Sequence, residues 1–126
     1  MNHQFSGNHL LVEFYGVRIE QHDQDKLHKC LETCCKQAKV TMLKFDYVKF
    51  ENGGYTAFAL LAESHISIHT YPEYKSIFLD VFTCGKSDTG CIVDALAEYY
   101  RPQKQFVQCI ERGEQMNKLP LKGKVS

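Results

Sequence analysis

The sequence lacks an excess of either charge: 15 Lys and Arg stand against 15 Asp and Glu. No overall field therefore draws the chain to nucleic acid or to an anionic membrane, and a small-molecule partner is favoured. Apolar residues make up 44% of the chain, yet no run approaches the roughly 18 residues needed to cross a bilayer. The opening "MNHQFSGNHLLVEFYG" has none of the charged-then-apolar layout of a signal peptide, which predicts a cytoplasmic protein. Linkers and low-complexity segments are also missing. Residues 1–126 are thus expected to form one domain, small enough that a deep substrate site calls for a partner subunit. There is no Gly-x-Ser-x-Gly elbow, no phosphate loop and no zinc signature, so the usual hydrolase, nucleotide and zinc-site plans do not apply.

Six cysteines are present, but Cys30, Cys34 and Cys35 share one helical pattern and no secretion signal accompanies them. Reduced, buried thiols follow, with packing as their role. His65 and His69 are four apart on a strand-like run. That spacing separates their Cα atoms by about 13 Å, too far to chelate one ion, and no metal is expected.

What is present alternates between two periods. "HLLVEFYG" (His9 to Gly16) sets Leu10, Val12 and Phe14 on one face of a strand. From Asp23 to Ala38, Leu27, Cys30, Leu31, Cys34 and Ala38 recur at helical spacing, with Asp23 or Asp25 as the cap. "VTMLKFDYVKF", the turn "ENGG" and "YTAFALLA" read as a hairpin. "HISIHTY" divides Ile66, Ile68 and Thr70 from His65, Ser67, His69 and Tyr71, and "PEYK" turns into "SIFLDVFT". A second helix spans Cys91 to Tyr100, with Ile92, Ala95, Leu96 and Tyr99 inward, Ser87 or Asp88 as its cap and Pro102 after it. Gln105 to Glu111 reads as a last strand, and the tail after it as loose. The order predicts an α+β, two-layer sandwich: a mainly antiparallel sheet, two helices on one face, the other face free to pack on something else.

One stretch, "LLAESHISIHTYPEYKSIFLDVFTCG" from Leu60 to Gly85, is rich in reactive groups. The run Glu-Ser-His-x-x-x-His-Thr-x-Pro-Glu with Phe-Thr-Cys-Gly downstream closely resembles the prokaryotic S-adenosylmethionine decarboxylase proenzymes. The similarity extends from "GNHLLVEFYG", through Lys49 and Phe50, to the "ERG" around position 112. Members of that family cleave themselves at a Glu-Ser bond to make a pyruvoyl cofactor.

The resemblance implies cleavage between Glu63 and Ser64, giving a β chain of residues 1–63 and an α chain of residues 64–126 headed by a pyruvoyl group derived from Ser64. The pyruvoyl carbonyl condenses with the substrate amine as a Schiff base and withdraws electrons as carbon dioxide leaves. By the same resemblance His69 is the processing histidine, Thr56 the assisting hydroxyl (usually serine) and Cys84 the acid that returns a proton to carbon. Phe50 packs on adenine, Glu73 binds the ribose hydroxyls, the backbone around Ile66 meets the adenine edge, and Tyr71 is a further candidate for the sulfonium. The implied assembly is a homodimer of αβ protomers with sites near the subunit interface, working in polyamine (spermidine) synthesis.

The chain departs from the family pattern at Asn8, where arginine is common, at Val48 in place of histidine, and at "ENGG". Some relatives are pyruvoyl-dependent decarboxylases of ornithine or arginine, and Glu51 beside Phe50 offers a carboxylate for a second substrate cation. A non-catalytic subunit that regulates an active partner is the remaining reading.

Overall fold

The computed structural model describes residues 5–18, 23–85 and 88–120. The alternating run at the start becomes β1 (Gly7–Tyr15), with Leu10, Val12 and Phe14 inside. After α1 (Gln24–Gln37) come β2 (Met42–Lys49), β3 (Tyr55–Leu61), β4 (Ser64–Tyr71) and β5 (Ser76–Cys84), then α2 (Thr89–Tyr100) and β6 (Lys104–Arg112). The six strands form one sheet in the order β2-β3-β4-β5-β1-β6, antiparallel at every pairing. Short hairpins account for β2 to β5. β1 is inserted between β5 and β6, a long-range choice that local patterning does not encode.

Asp23 caps α1, its side chain accepting from the amides of Asp25 and Lys26. Two of the first-turn donors left without intrahelical partners are thereby satisfied. Leu27, Leu31, Cys34 and Cys35 face the core; Cys30, expected there, is half-buried. The Cys34 thiol, hydrogen-bonded to Cys35 and enclosed, is pushed up in pKa, which keeps it a neutral packing group. Asp88 caps α2 through the Cys91 amide. The alternative cap, Ser87, lies outside the described residues.

On α2 the inward aromatic is Tyr100 rather than Tyr99, because Leu96 and Tyr100 are one turn apart and share a face. Its hydroxyl meets that of Tyr55 at 2.5 Å inside the core. The tail is less loose than its composition suggests: Glu114–Lys118 forms a 3-10 turn after Gly113, whose φ of 98° suits glycine.

Both helices lie on the face made by Leu10, Val12, Phe14, Ala57, Ala59, Ile66, Ile68, Ile77, Leu79 and Val81. The opposite face carries Leu11, Phe58, Leu60, Tyr71, Phe78 and Phe106, all exposed. An apolar face of this extent without cover marks an association surface.

Leu31 has no exposed surface and packs where α1 meets the sheet. Leu31→Ala should cost about 3 kcal/mol. Urea unfolding of both chains, each carrying Ser64→Ala so that the cleavage implied by the resemblance cannot intervene, measures it.

Candidate active site

Ala62 and Glu63 are the two-residue connection between β3 and β4, with Leu61 paired to Ser64. Hairpins of this length favour turns in which the first central residue, or both, has positive φ. Here only Glu63 does, at 68°. A side-chain-bearing residue held there stores roughly 1–2 kcal/mol of strain, and such strain gathers at working sites.

Two hydrogen bonds from one residue converge on this joint. Cys84, the last residue of β5, donates its thiol to the Glu63 carbonyl oxygen at 2.8 Å and its backbone N–H to Ser64 Oγ at 3.2 Å. Ser64 is 8% exposed. Gly7 pairs with Cys84 from the other side, and a Cβ there would lie 2.4 Å from the Thr83 carbonyl oxygen, so only glycine allows β1 this close. The neighbouring Thr83 is tied by its hydroxyl to Thr89 at the start of α2, 2.6 Å away. A hydroxyl thus adjoins a carbonyl whose oxygen already accepts a proton donor, the arrangement that electrophilic activation requires.

A second group lies at the far end of β4. Thr56 and His69 are cross-strand partners, Oγ1 to Nδ1 3.2 Å. With Phe50, Glu51, Asn52 and Tyr71 they line a depression of about 520 Å³. Tyr71 packs its ring against Phe78 at 5.1 Å. Glu73 sits in the 3-10 turn after β4 and accepts from Asn52 Nδ2 at 3.0 Å. A cleft of about 1070 Å³ between α1 and α2 contains none of these groups.

The structure therefore gathers the predicted residues into two sets and keeps the sets apart. Glu63, Ser64 and Cys84 form one; Thr56, His69, Phe50, Tyr71 and Glu73 form the other. Ser64 and His69 are five strand residues apart, about 16 Å, and point to opposite faces. Ile66 joins neither set. Its side chain is fully buried and its backbone runs inside the sheet between Ala59 and Val81, so the adenine edge expected there has no free surface to meet.

A third cluster escaped the sequence reading. On the open face Asp80 Oδ1 accepts from His65 Nε2 at 2.9 Å and His9 Nε2 at 3.1 Å, while Oδ2 accepts from Ser67 Oγ at 2.5 Å. Phe58 stacks on His65 at 5.8 Å. The signal was there in outward strand positions, but residues 9, 65 and 80 meet only once β4, β5 and β1 are adjacent. Two imidazoles and a carboxylate within 4.8 Å of one another resemble a metal-ligand set. Arg112 argues otherwise. Its guanidinium lies 3.2 Å from His9 Nδ1 and can only donate, so His9 accepts at Nδ1 and carries its proton on Nε2, where a metal would need a lone pair. Burial pushes the Asp80 carboxyl up, but the hydrogen bonds from Ser67, His9 and His65, with the charge of His65, together bring it below the ordinary 3.8.

Sheet order, helix placement and the Ser64–Cys84 joint define a class with recognised relatives: residues 8–113 match the family described as S-adenosylmethionine decarboxylase, and the chain belongs to it. Among its relatives, the S-adenosylmethionine decarboxylase proenzyme of Aquifex aeolicus is 38% identical over 109 residues, covering 85% of this chain and 81% of that protein. That of Archaeoglobus fulgidus is 35% identical over 111 residues, covering 85% and 97%. The crystal structure of the adenosylmethionine decarboxylase from Aquifex aeolicus superposes with a TM-score of 0.77 at 31% identity, covering 98% of this chain and all of that one.

Because the folded Asp80 carboxyl ionises more readily than the unfolded one, it stabilises the fold fully above about pH 4, and that contribution is lost as pH falls through the lower folded value. Asp80→Asn should flatten the loss of stability between pH 5 and pH 2, to be checked by thermal unfolding across that range.

Proposed function

We propose that this chain cuts itself between Glu63 and Ser64 and that the two resulting chains decarboxylate S-adenosylmethionine. The observation that carries this reading is the Cys84 thiol 2.8 Å from the Glu63 carbonyl oxygen, beside a hydroxyl and a strained backbone, in a chain whose relatives are named as proenzymes of that decarboxylase.

In cleavage, Ser64 Oγ adds to the Glu63 carbonyl carbon, the thiol steadies the oxyanion, and the C–N bond gives way to an ester. Removal of the Ser64 Cα proton then breaks the Cβ–Oγ bond. Glu63 leaves with Oγ as its new carboxylate oxygen, and the dehydroalanine left at position 64 takes up water and releases ammonia to become pyruvoyl. Release of Glu63 from positive φ adds a driving force. Once formed, the group supplies a carbonyl that accepts the electron pair left by departing carbon dioxide. Cys84 is placed to return a proton to carbon.

His69 is too far from Ser64 to act within one protomer. We infer a homodimer in which the open sheet faces meet, so that Thr56, His69, Phe50 and Glu73 of one subunit complete the joint of the other. Both halves are unfinished alone, and the uncovered aromatic face supports such a contact. The depression suits an adenosyl group, with Phe50 as the ring face and Glu73, held by Asn52, as the acceptor for ribose hydroxyls. Glu51 at its rim does not call for a basic amino acid, because the sulfonium of S-adenosylmethionine is itself a cation that a carboxylate or ring face attracts. The product is an aminopropyl donor for polyamine synthesis. None of the described helices is long and apolar enough to cross a membrane, which is consistent with work in the cytoplasm.

Purified protein should run as two fragments, and Ser64→Ala as one chain of full mass. Carbon dioxide release from S-adenosylmethionine, with ornithine and arginine in parallel, tests the substrate; turnover of either amino acid alone would reverse the assignment. Cys84→Ala and Glu73→Ala should each lower turnover at least tenfold, yet their co-expression should restore about a quarter of wild-type activity, since random pairing leaves one intact site in each mixed dimer. No recovery would exclude a shared site.

A further inference from the structure

The cut proposed above removes two of the ties that hold position 64. Its covalent link to β3 is severed, and the oxygen that accepts from the Cys84 amide departs with Glu63. A new chain end at the first residue of a strand frays unless something else fixes it. The side chain next in line is His65, and it is tied to three neighbouring strands. Its Nε2 donates to Asp80 on β5 at 2.9 Å. Its ring stacks on Phe58 of β3 at 5.8 Å and meets His9 of β1 edge-on at 5.8 Å. Asp80 is held in turn by Ser67 and His9, and His9 by Arg112, whose guanidinium also lies over Phe82 at 5.5 Å. None of these contacts involves an atom that the cleavage consumes.

We propose that the His65–Asp80 clamp keeps position 64 in register after the bond is cut, which makes His65 a positioning residue for the pyruvoyl group. The proposal rests on the self-cleavage reading. A ketone at a frayed terminus would sample many orientations relative to Cys84, and misplacement by about an ångström is enough to cost orders of magnitude in rate. With the clamp in place, the peptide between residues 64 and 65 stays in the sheet, and the group attached to it stays near Cys84.

The test compares amide hydrogen exchange in the peptide that covers residues 65–70, in cut and uncut protein. In the cut form, His65→Ala should speed exchange there about tenfold, as expected for the loss of one hydrogen bond to a charged acceptor. In the uncut Ser64→Ala background the same substitution should leave it nearly unchanged, because the β3–β4 connection still holds the strand. His65→Gln, which keeps an amide donor toward Asp80, should recover part of the protection. Equal acceleration in both backgrounds would make His65 a general structural residue, and no acceleration in either would remove the clamp; each overturns the proposal. A folded His65→Ala chain that stays uncut assigns the imidazole to cleavage and also overturns it. A wild-type chain that keeps its full mass sinks the self-cleavage reading itself, together with this one, and intact-mass analysis separates that failure from the others.

Discussion

The two-faced character of β4 governs the rest of the structure. It lies between β3 and β5 and is paired along both edges, so it cannot rotate or slip without turning its core residues outward. Ile66, Ile68 and Thr70 hold it against the helices. His65, Ser67, His69 and Tyr71 are thereby committed to the open face. Ser64 has the parity of the core residues, yet it stands at the mouth of the hairpin, where Cys84 can reach it. Reactive groups are thus dealt out by a period of two, and no single protomer can bring both ends of β4 to one point.

That separation is what the proposed dimer would overcome. A 126-residue domain has one core and little volume left for a deep cavity. Ser64 is buried at its strand end while Glu63 beside it is exposed, and the depression around Phe50 and His69 is open. Apposed sheet faces would close the second over the first while covering Phe58, Phe78 and Phe106. In the proposed dimer, exclusion of water would follow from the same contact that completes the site, and it would strengthen each hydrogen bond aimed at a developing charge.

Much of this was legible in the sequence, for physical reasons that can be named. Alternation in "HLLVEFY" and "HISIHTY" showed which side chains face the core, and helical spacing placed Leu27, Leu31, Cys34 and Ala38 on the buried stripe of α1, though it put half-buried Cys30 there and left out buried Cys35. Tyr100 was missed because two adjacent tyrosines end α2 and only the register with Leu96 separates them. The insertion of β1 between β5 and β6 was not legible, since strand order is settled by contacts across the whole chain. The Asp80 cluster was hidden for the same reason. The motif around Ser64 pointed to candidate residues but not to their distances, and a strand disperses what a helix would have gathered.

The "ENGG" turn, one of the places where the chain departs from the family pattern, has a structural account that bears on the proposed specificity. Asn52 Oδ1 accepts from the Gly54 amide at 2.9 Å, which sets the orientation of its side-chain amide, so Nδ2 must face the Glu73 carboxylate, 3.0 Å away. The turn and the 3-10 segment after β4 are therefore braced against each other across two strands. Gly54 permits the approach: a Cβ there would lie 3.0 Å from the Pro72 ring and 3.1 Å from the Thr70 carbonyl. An unusual loop thus directs a carboxylate to the edge of the depression, where, on the proposed reading, a ribose diol would need an acceptor. If Glu73 binds as proposed, divergence in sequence at this point is compatible with constancy of role, because binding would then depend on the position of Glu73 and not on the identity of the residues that brace it.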